Sequence, residues 1–283
     1  MEQRSRYIAL TGLPRSGSTL CCHLVNSATQ AVALFEPMQV HTLAADDRPQ
    51  AVGQVLAYFD QMYASLLEDG TAETRHRGGK VPDNPFGGLR EDGTRVRDVE
   101  HGRIHFDKPL ASGFLLMIKH NAAFAALLPE LGNVIPVYGL VRNPMAMLAS
   151  WNTVSIPISQ GRLPAAERID PQLQGALEQA PDLIARQLVI MDWFFARYRD
   201  FLPQERLLRY ETITFTHGRC LLDGLGLEAG AGMPLQERNA NQLYANVDVD
   251  NLCRRLLASD GAWWQFYSRD EVEATHERLA RAR

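Results

Sequence analysis

The sequence contains no long apolar run and no cysteine motif of the kind that forms a disulfide framework. Its four cysteines are Cys21, Cys22, Cys220 and Cys253, and none lies in a CxxC motif or in a metal-binding spacing with histidine. This usage is typical of reduced thiols, so we expect a cytoplasmic protein. The apolar residues near the N-terminus are too few to span a membrane, and they do not form a signal peptide.

A surplus of positive charge is also missing. The formal net charge is −4 at pH 7, whereas proteins that bind nucleic acid or membrane surfaces usually carry a basic surplus. We therefore expect neither nucleic acid nor a membrane as a partner. The length of 283 residues and the hydrophobic content of 46% are those of a globular protein with a sizeable buried core.

Five short apolar runs have the composition of buried strands in a parallel sheet. They occupy residues 7–13, 31–36, 114–119, 134–141 and 206–211. Apolar residues recur at helical spacing in residues 50–67 and 181–202, and residues 18–28 are predicted to form the helix after the first strand. Strands that alternate with helices predict an α/β fold, with a central parallel sheet inside three α/β/α layers.

Two stretches interrupt the alternation of strands and helices. Residues 69–113 contain eight glycines and mixed charge, and residues 152–180 are rich in proline, glycine and polar residues. We interpret both as loop insertions, because loops of this length in a compact domain are typically lids or mobile segments. Since there is no internal repeat and no separate linker, the sequence predicts a single domain over residues 1–283.

The segment TGLPRSGSTL, residues 11–20, follows the first predicted strand and is almost a nucleotide-binding P-loop, GxxxxGK[ST]. Ser18 stands where the motif has lysine, and Arg15 supplies a positive charge three residues earlier. A strand, a glycine-containing turn and a helix N-terminus bind anions through free backbone N–H groups. The candidate ligand-binding residues are Pro14, Arg15, Ser16, Gly17, Ser18, Thr19 and Leu20.

The missing lysine weakens the case for ATP. A P-loop kinase needs that cation together with Mg²⁺ held by a Ser or Thr and by a strand-end aspartate. None of the predicted strands ends in aspartate, and Glu36 is a weak substitute. A small-molecule kinase and a non-catalytic nucleotide-binding module stay as alternatives to a protein that holds a phosphate without cleaving it.

A second candidate phosphate site lies in YGLVRNPMAMLASW, residues 138–151. Arg142 emerges where a predicted strand ends, and Asn143 and Pro144 have the pattern of a helix N-cap and first helical residue. Ser150 follows about two turns into that helix. The guanidinium of arginine matches a phosphate dianion, and a serine hydroxyl can add one more donor.

Taken together, PRSGST at 14–19 and VRNPMAMLAS at 141–150 resemble the two cofactor signatures of the sulfotransferases that use 3′-phosphoadenosine 5′-phosphosulfate (PAPS). The resemblance covers about 6–37, 115–151 and 206–227 and implies a P-loop NTPase-like sulfotransferase fold. It implies that the first loop binds the 5′-phosphosulfate, with Arg15 where the family has Lys or Arg, and that Arg142 and Ser150 bind the 3′-phosphate. It also places Tyr210, in RLLRYETI, near the adenine.

The resemblance implies a chemistry without metal, in which sulfuryl transfer from PAPS releases the product PAP. Glu36 follows the second predicted strand and matches the catalytic Glu of carbohydrate and tyrosylprotein sulfotransferases. We expect it to be the base, with a raised pKa. Lys119 is similar in place to a Lys near the leaving group, where it would act with Arg15.

Two residues depart from the sulfotransferases that act on small molecules. Those enzymes carry a histidine base in a Lys-Thr-His context, whereas here His120 directly follows the strand lysine, so it is the less favoured base. Leu20 stands where they carry a Trp that stacks on adenine. The sequence leaves the acceptor open between a small molecule, a carbohydrate and a tyrosyl hydroxyl, with an amine as a further possibility.

Overall fold

The computed structural model describes residues 6–91, 94–228, 235, 244 and 246–281. In chain order the strands are β1 (Tyr7–Gly12), β2 (Ala31–Phe35), β3 (Thr71–His76), β4 (Phe86–Leu89), β5 (Arg95–Arg97), β6 (Glu100–His105), β7 (Leu115–Lys119), β8 (Val137–Val141) and β9 (Leu207–Arg209). The helices are α1 (Ser18–Val25), α2 (Arg48–Glu68), α3 (Asn121–Ala126), α4 (Leu128–Leu131), α5 (Pro144–Trp151), α6 (Pro164–Glu167), α7 (Pro171–Gln179), α8 (Leu183–Phe201), α9 (Tyr210–Phe215), α10 (Arg219–Gly224), α11 (Val249–Leu257) and α12 (Arg269–Arg281).

Five strands form a central parallel sheet in the order β2-β7-β1-β8-β9. Successive residues of each strand face opposite sides, so Tyr7 and Ala9 of β1 join one hydrophobic cluster while Ile8 and Leu10 join the other. Helices α2, α3 and α8 contribute to the first cluster, and α1 and α10 contribute to the second. Burial on both faces explains why the strands are continuous apolar runs in the sequence. The result is the expected α/β architecture, with helices on both sides of the sheet.

The strand order determines where a ligand can bind. The chain leaves β1 toward β2 on one side of the sheet and leaves β8 toward β9 on the other. In open α/β sheets, the crevice beyond the carboxyl ends of strands at such a switch point is the usual ligand site. Gly12 of β1 pairs with Leu140 of β8, so the segments that follow these two strands lie side by side.

The predicted strands and long helices are largely confirmed. The strands predicted at 7–13, 31–36 and 114–119 differ from β1, β2 and β7 by one residue, and the one at 134–141 begins three residues late, at Val137. The helices predicted at 50–67 and 181–202 are α2 and α8. Strong apolar periodicity over several turns identified them.

Two boundaries were wrong. The helix predicted over 18–28 ends at Val25, because the Asn26 side chain instead pairs with both backbone groups of Ala33, at 2.8 Å each. The strand predicted over 206–211 ends at Arg209, and Tyr210 begins α9. The Glu211 carboxylate, in the first turn of α9, accepts hydrogen bonds from the Asn143 amide and the Tyr267 hydroxyl, which are distant in the chain.

The two interrupting stretches are not simple loops. Within 69–113, β3 pairs with β6 and β4 pairs with β5, both antiparallel, and 152–180 contains α6 and α7. The β3–β6 pairing joins residues about thirty positions apart, and the helices are only 4 and 9 residues long, so neither leaves a strong local signal. Among the described residues, no helix is long and apolar enough to cross a membrane.

Candidate functional site

The P-loop-like turn connects β1 to α1 through two residues in the left-handed region. Arg15 has φ of 72° and Gly17 has φ of 101°, which is strained for the arginine. The first helical hydrogen bond of α1 is donated by the Cys21 amide to the Gly17 carbonyl, at 3.1 Å. The amides of Ser18, Thr19 and Leu20 precede that bond and have no acceptor within the helix, which is the arrangement by which helix N-termini bind anions.

Two serine hydroxyls flank this turn. Ser16 Oγ is buried and has no hydrogen-bond partner within the described part of the chain. Ser18 Oγ donates to Asn121 Oδ1 at 3.1 Å. A buried hydroxyl without an acceptor is costly, and an anion in the turn would supply one. Thr19 is buried and Leu20 is partly buried in the first turn of α1.

The second predicted phosphate site meets the first. Arg142, at the end of β8, donates from Nη1 to the Arg15 carbonyl at 2.9 Å. Arg15 Nε in turn donates to Ser150 Oγ at 3.3 Å. Asn143 is the N-cap of α5, because its side chain accepts from Met145 N at 3.0 Å, and Pro144 is the first helical residue, as predicted. These two hydrogen bonds thus join the Arg15 turn to the β8–α5 segment, which lies more than 120 residues away in the chain.

Tyr210 lies against the same turn. A Cβ atom at Gly17 would stand 2.6 Å from Tyr210 Cδ2, so only glycine lets the ring approach this closely. The Arg142 guanidinium lies 4.4 Å from the centre of the Tyr210 ring. Pro14 is held from the other side by Trp151, whose Nε1 donates to the Pro14 carbonyl at 2.6 Å.

The insertion at 69–113 completes the surroundings of Arg15. The Arg15 guanidinium lies 4.2 Å from the centre of the Phe86 ring, and its Nη1 donates to Asn84 Oδ1 at 3.4 Å. Burial, together with the nearby charges of Arg95 and Arg142, lowers the pKa of Arg15 to about 9. A bound anion would offset both the loss of hydration and the repulsion among the arginines. This group of cations is therefore suited to phosphate.

Glu36 and Lys119 form a buried ion pair at the carboxyl ends of β2 and β7. Phe35 is in register with Lys119 across the two strands, and this alignment brings the following Glu36 beside the lysine. Lys119 Nζ donates to Glu36 Oε1 at 2.7 Å, and the Glu36 amide donates to the Lys119 carbonyl at 2.9 Å. Glu36 has φ of 44°, a strained value for a side-chain-bearing residue.

The other carboxylate oxygen of Glu36 faces two arginines from the insertion. Arg97 Nη1 lies 3.3 Å and Arg75 Nε lies 3.5 Å from Glu36 Oε2. Burial raises the pKa of this carboxyl, but Lys119 and then Arg97 outweigh it and bring the pKa down to about 2. The expectation of a raised pKa was wrong, because it considered Glu36 without the distant cations. A carboxylate with this pKa is a weak base until those cations are engaged elsewhere.

His120 is buried beside this pair, but its Nε2 is already engaged. Met38 N donates to His120 Nε2 at 3.0 Å. Burial lowers the pKa of His120 to about 3, although the Glu36 charge acts in the opposite direction. The neutral ring therefore holds the segment that follows Glu36. As placed, His120 is a positioning group, and Glu36 has the better geometry for a base.

We expect His120 to make the protein acid-sensitive. The folded state keeps this imidazole neutral, whereas the unfolded chain binds a proton below about pH 6.5, so stability is lost as the pH falls from there toward 3. Between pH 6.5 and pH 5 this amounts to about 2 kcal/mol. Urea unfolding at several pH values should show a shallower loss for His120→Gln than for the wild type. An identical pH dependence in both proteins would contradict the assignment. Glu36 does not interfere in this window, because its ordinary pKa is 4.5 and its folded value is lower.

Sequence reasoning missed the contribution of the insertion. Arg75, Arg95 and Arg97, together with Asn84 and Phe86, lie around the two predicted centres. The sequence carries little signal here, because every second residue of β3 in TAETRH is buried but Ala72 alone among these three is apolar. The sequence could therefore not place Arg75 at Glu36.

No group of three or more His, Cys, Asp and Glu side chains that could hold a metal ion is found among the described residues. No protein-family model matches this sequence, and a search of curated proteins finds no relative that matches it significantly. The site geometry therefore carries the functional argument.

Proposed function

We propose that the protein is a P-loop-type sulfotransferase that moves the sulfuryl group of PAPS to an acceptor hydroxyl or amine and releases PAP. The observation that carries the proposal is the junction of the two signatures, in which Arg142 binds the Arg15 carbonyl and Arg15 binds Ser150. The Arg15 turn follows β1, Arg142 follows β8 and Lys119 ends β7, and these three strands are neighbours at the point where the strand order reverses. The two predicted phosphate-binding centres and the Glu36–Lys119 pair therefore follow adjacent strands at one edge of the sheet, as such a donor requires.

The residues present fit the donor. The amides of the turn and the unsatisfied Ser16 hydroxyl suit the 5′-phosphate, and the cations Arg15 and Arg142 suit a dianion. Tyr210 offers a ring face beside Gly17 and fits the adenine end. PAPS, when bound, supplies an activated sulfuryl group. The absence of a lysine in the turn is compatible with a phosphate that is held and not transferred.

Glu36 and Lys119 divide the chemistry between them. Glu36 takes the proton of the acceptor hydroxyl as the new O–S bond forms. Lys119 and Arg15 neutralise the negative charge that develops on the departing phosphate. Lys119 can serve both groups, because its ammonium has three donors and lies 2.7 Å from the Glu36 carboxylate. The acceptor classes that suit this arrangement are small molecules, carbohydrates and tyrosyl side chains.

A thermal-shift titration with PAP, ADP and ADP plus Mg²⁺ tests the proposal. We expect PAP at about 100 times its Kd to raise the melting temperature by about 5 °C or more, because a ligand that binds only the folded state stabilises it. At the same PAP concentration, the shift should fall to about half or less in Arg142→Ala. A shift with ADP and Mg²⁺ alone would overturn the proposal in favour of a kinase. PAP binding without turnover of PAPS on any acceptor would favour a non-catalytic nucleotide-binding module.

A further inference from the structure

The strands β3 and β5 bring two arginines to one carboxylate oxygen. Arg75 on β3 and Arg97 on β5 both face Glu36 Oε2, at 3.5 and 3.3 Å, while Lys119 occupies Oε1. In the ranges that the structure describes, Glu36 is the one carboxylate within ion-pair distance of any of these three cations. The cluster therefore has two more positive charges than negative ones.

The two arginines are poorly satisfied by the protein. Neither side chain makes a hydrogen bond to another described residue, although each carries five N–H donors, and Arg75 Nε is fully buried. Their side chains are 30% and 33% exposed, so solvent reaches both of them beside Glu36. An unsatisfied guanidinium fork that solvent can reach is suited to a carboxylate, phosphate or sulfate ester.

A neighbouring arginine shows that the insertion can satisfy such groups. Arg77, which directly follows β3, pairs with Asp98 Oδ2 at 3.0 Å and donates to the Asp98 carbonyl at 3.0 Å. Arg75 and Arg97 have no equivalent partner in the described chain. If they served only to neutralise Glu36, they would be redundant, because Lys119 already contacts that carboxylate at 2.7 Å.

We propose that Arg75 and Arg97 form a subsite for an anionic group on the acceptor molecule, next to the hydroxyl that is sulfated. This inference rests on the proposed sulfotransferase function and names the class of its acceptor. An anionic group that engages the two arginines fixes the acceptor beside Glu36. It also draws two cations away from the Glu36 carboxylate, which then becomes a stronger base. An acceptor with this charge thus assists its own deprotonation, whereas a neutral analogue does not.

The test measures binding to the protein saturated with PAP, so that the phosphate-binding residues near Arg15 are filled. The probes are acid and neutral pairs that carry the same hydroxyl groups. They are 4-hydroxyphenylpropionate and its methyl ester, methyl glucuronide and its methyl ester, and tyrosyl peptides with Glu or Gln beside the tyrosine. Titration calorimetry should show at least one acid binding about tenfold or more tightly than its neutral partner. Arg97→Gln and Arg75→Gln should remove that preference, and Arg97→Lys should retain part of it.

Arg77→Gln is the matched control. Arg77 belongs to the same insertion as Arg75 and Arg97, but it pairs with Asp98 and not with Glu36. It should leave the acid preference unchanged, and circular dichroism should show that all variants fold. The inference is overturned if no acid binds, if acids and neutral partners bind equally, or if the preference survives both glutamine substitutions. Failure of PAP to bind would instead overturn the proposed function. In that case, acid binding that depends on Arg97 and not on Arg142 would still support an anion subsite.

Discussion

Replacing Glu36 with glutamine should lower turnover by about 10²–10⁴-fold while PAP affinity changes little, since this is the range that a positioned base contributes. Glutamine keeps the shape of the side chain and can still accept a hydrogen bond from Lys119, but it cannot take up a proton. Glu36 pairs with Lys119, Arg75 and Arg97, and among the described residues it makes no hydrogen bond or ion pair with the Arg15 turn. The loss should therefore appear in kcat and not in the PAP dissociation constant.

Single-turnover measurements with PAPS and calorimetry with PAP separate the two effects. The control is Glu100→Gln, because Glu100 lies on β6 of the insertion, is 70% exposed and pairs with His76 outside the site. Its turnover should match the wild type. Loss of PAP binding in Glu36→Gln would mean that Glu36 is structural. Unchanged turnover would assign the base to another group.

Replacing Arg142 with alanine should weaken PAP by about 10- to 100-fold, since a buried charge-assisted contact to phosphate is of that strength. Adenosine 5′-phosphosulfate, which lacks the 3′-phosphate, should bind almost as tightly as to the wild type. Arg142 is 4% exposed and stacks on Tyr210 at the end of β8, so it is fixed before any ligand arrives. That rigidity reduces the entropy cost of binding.

Arg197→Ala is the control for loss of a buried arginine. Arg197 lies on α8, pairs with Asp170 at 3.3 Å and donates to the carbonyls of Ala125 and Ala126, away from the crevice. This variant should be destabilised but should bind both nucleotides normally. Equal weakening of PAP and adenosine 5′-phosphosulfate in Arg142→Ala would show that Arg142 acts by holding the Arg15 carbonyl. Arg142→Lys, which keeps the charge but loses the fork, should recover only part of the affinity.

The fold was predictable where the signal was local and periodic. The strands β1, β2 and β7 are buried on both faces and form continuous apolar runs, and α2 and α8 repeat apolar residues over several turns. The short β9 was extended too far, because Tyr210 has a high strand propensity and continues the apolar run. In the structure Tyr210 and Glu211 begin α9, where they contact Gly17 and Asn143. Local propensity cannot represent such contacts.

The site was predictable in its parts but not in its charge state. Arg15, Gly17 and Arg142 were identified from the residue types that a phosphate-binding turn and a strand end require, and the structure brings them together. The pKa of Glu36 depends instead on the sum of charges from β3, β5 and β7, which are separated by long intervals in the chain. No spacing rule relates these elements, so the direction of the shift could not be predicted.

The sequence by itself determined the central strands, the glycine-containing turn and the N-cap at Asn143, because each depends on residues that are neighbours in the chain. Only the tertiary structure decided that Ser150 contacts Arg15, that His120 is engaged by Met38, and that the insertion presents Arg75 and Arg97 to Glu36. The physical reason is that electrostatic interactions depend on distance in space and on burial. Both quantities are set by how remote segments pack.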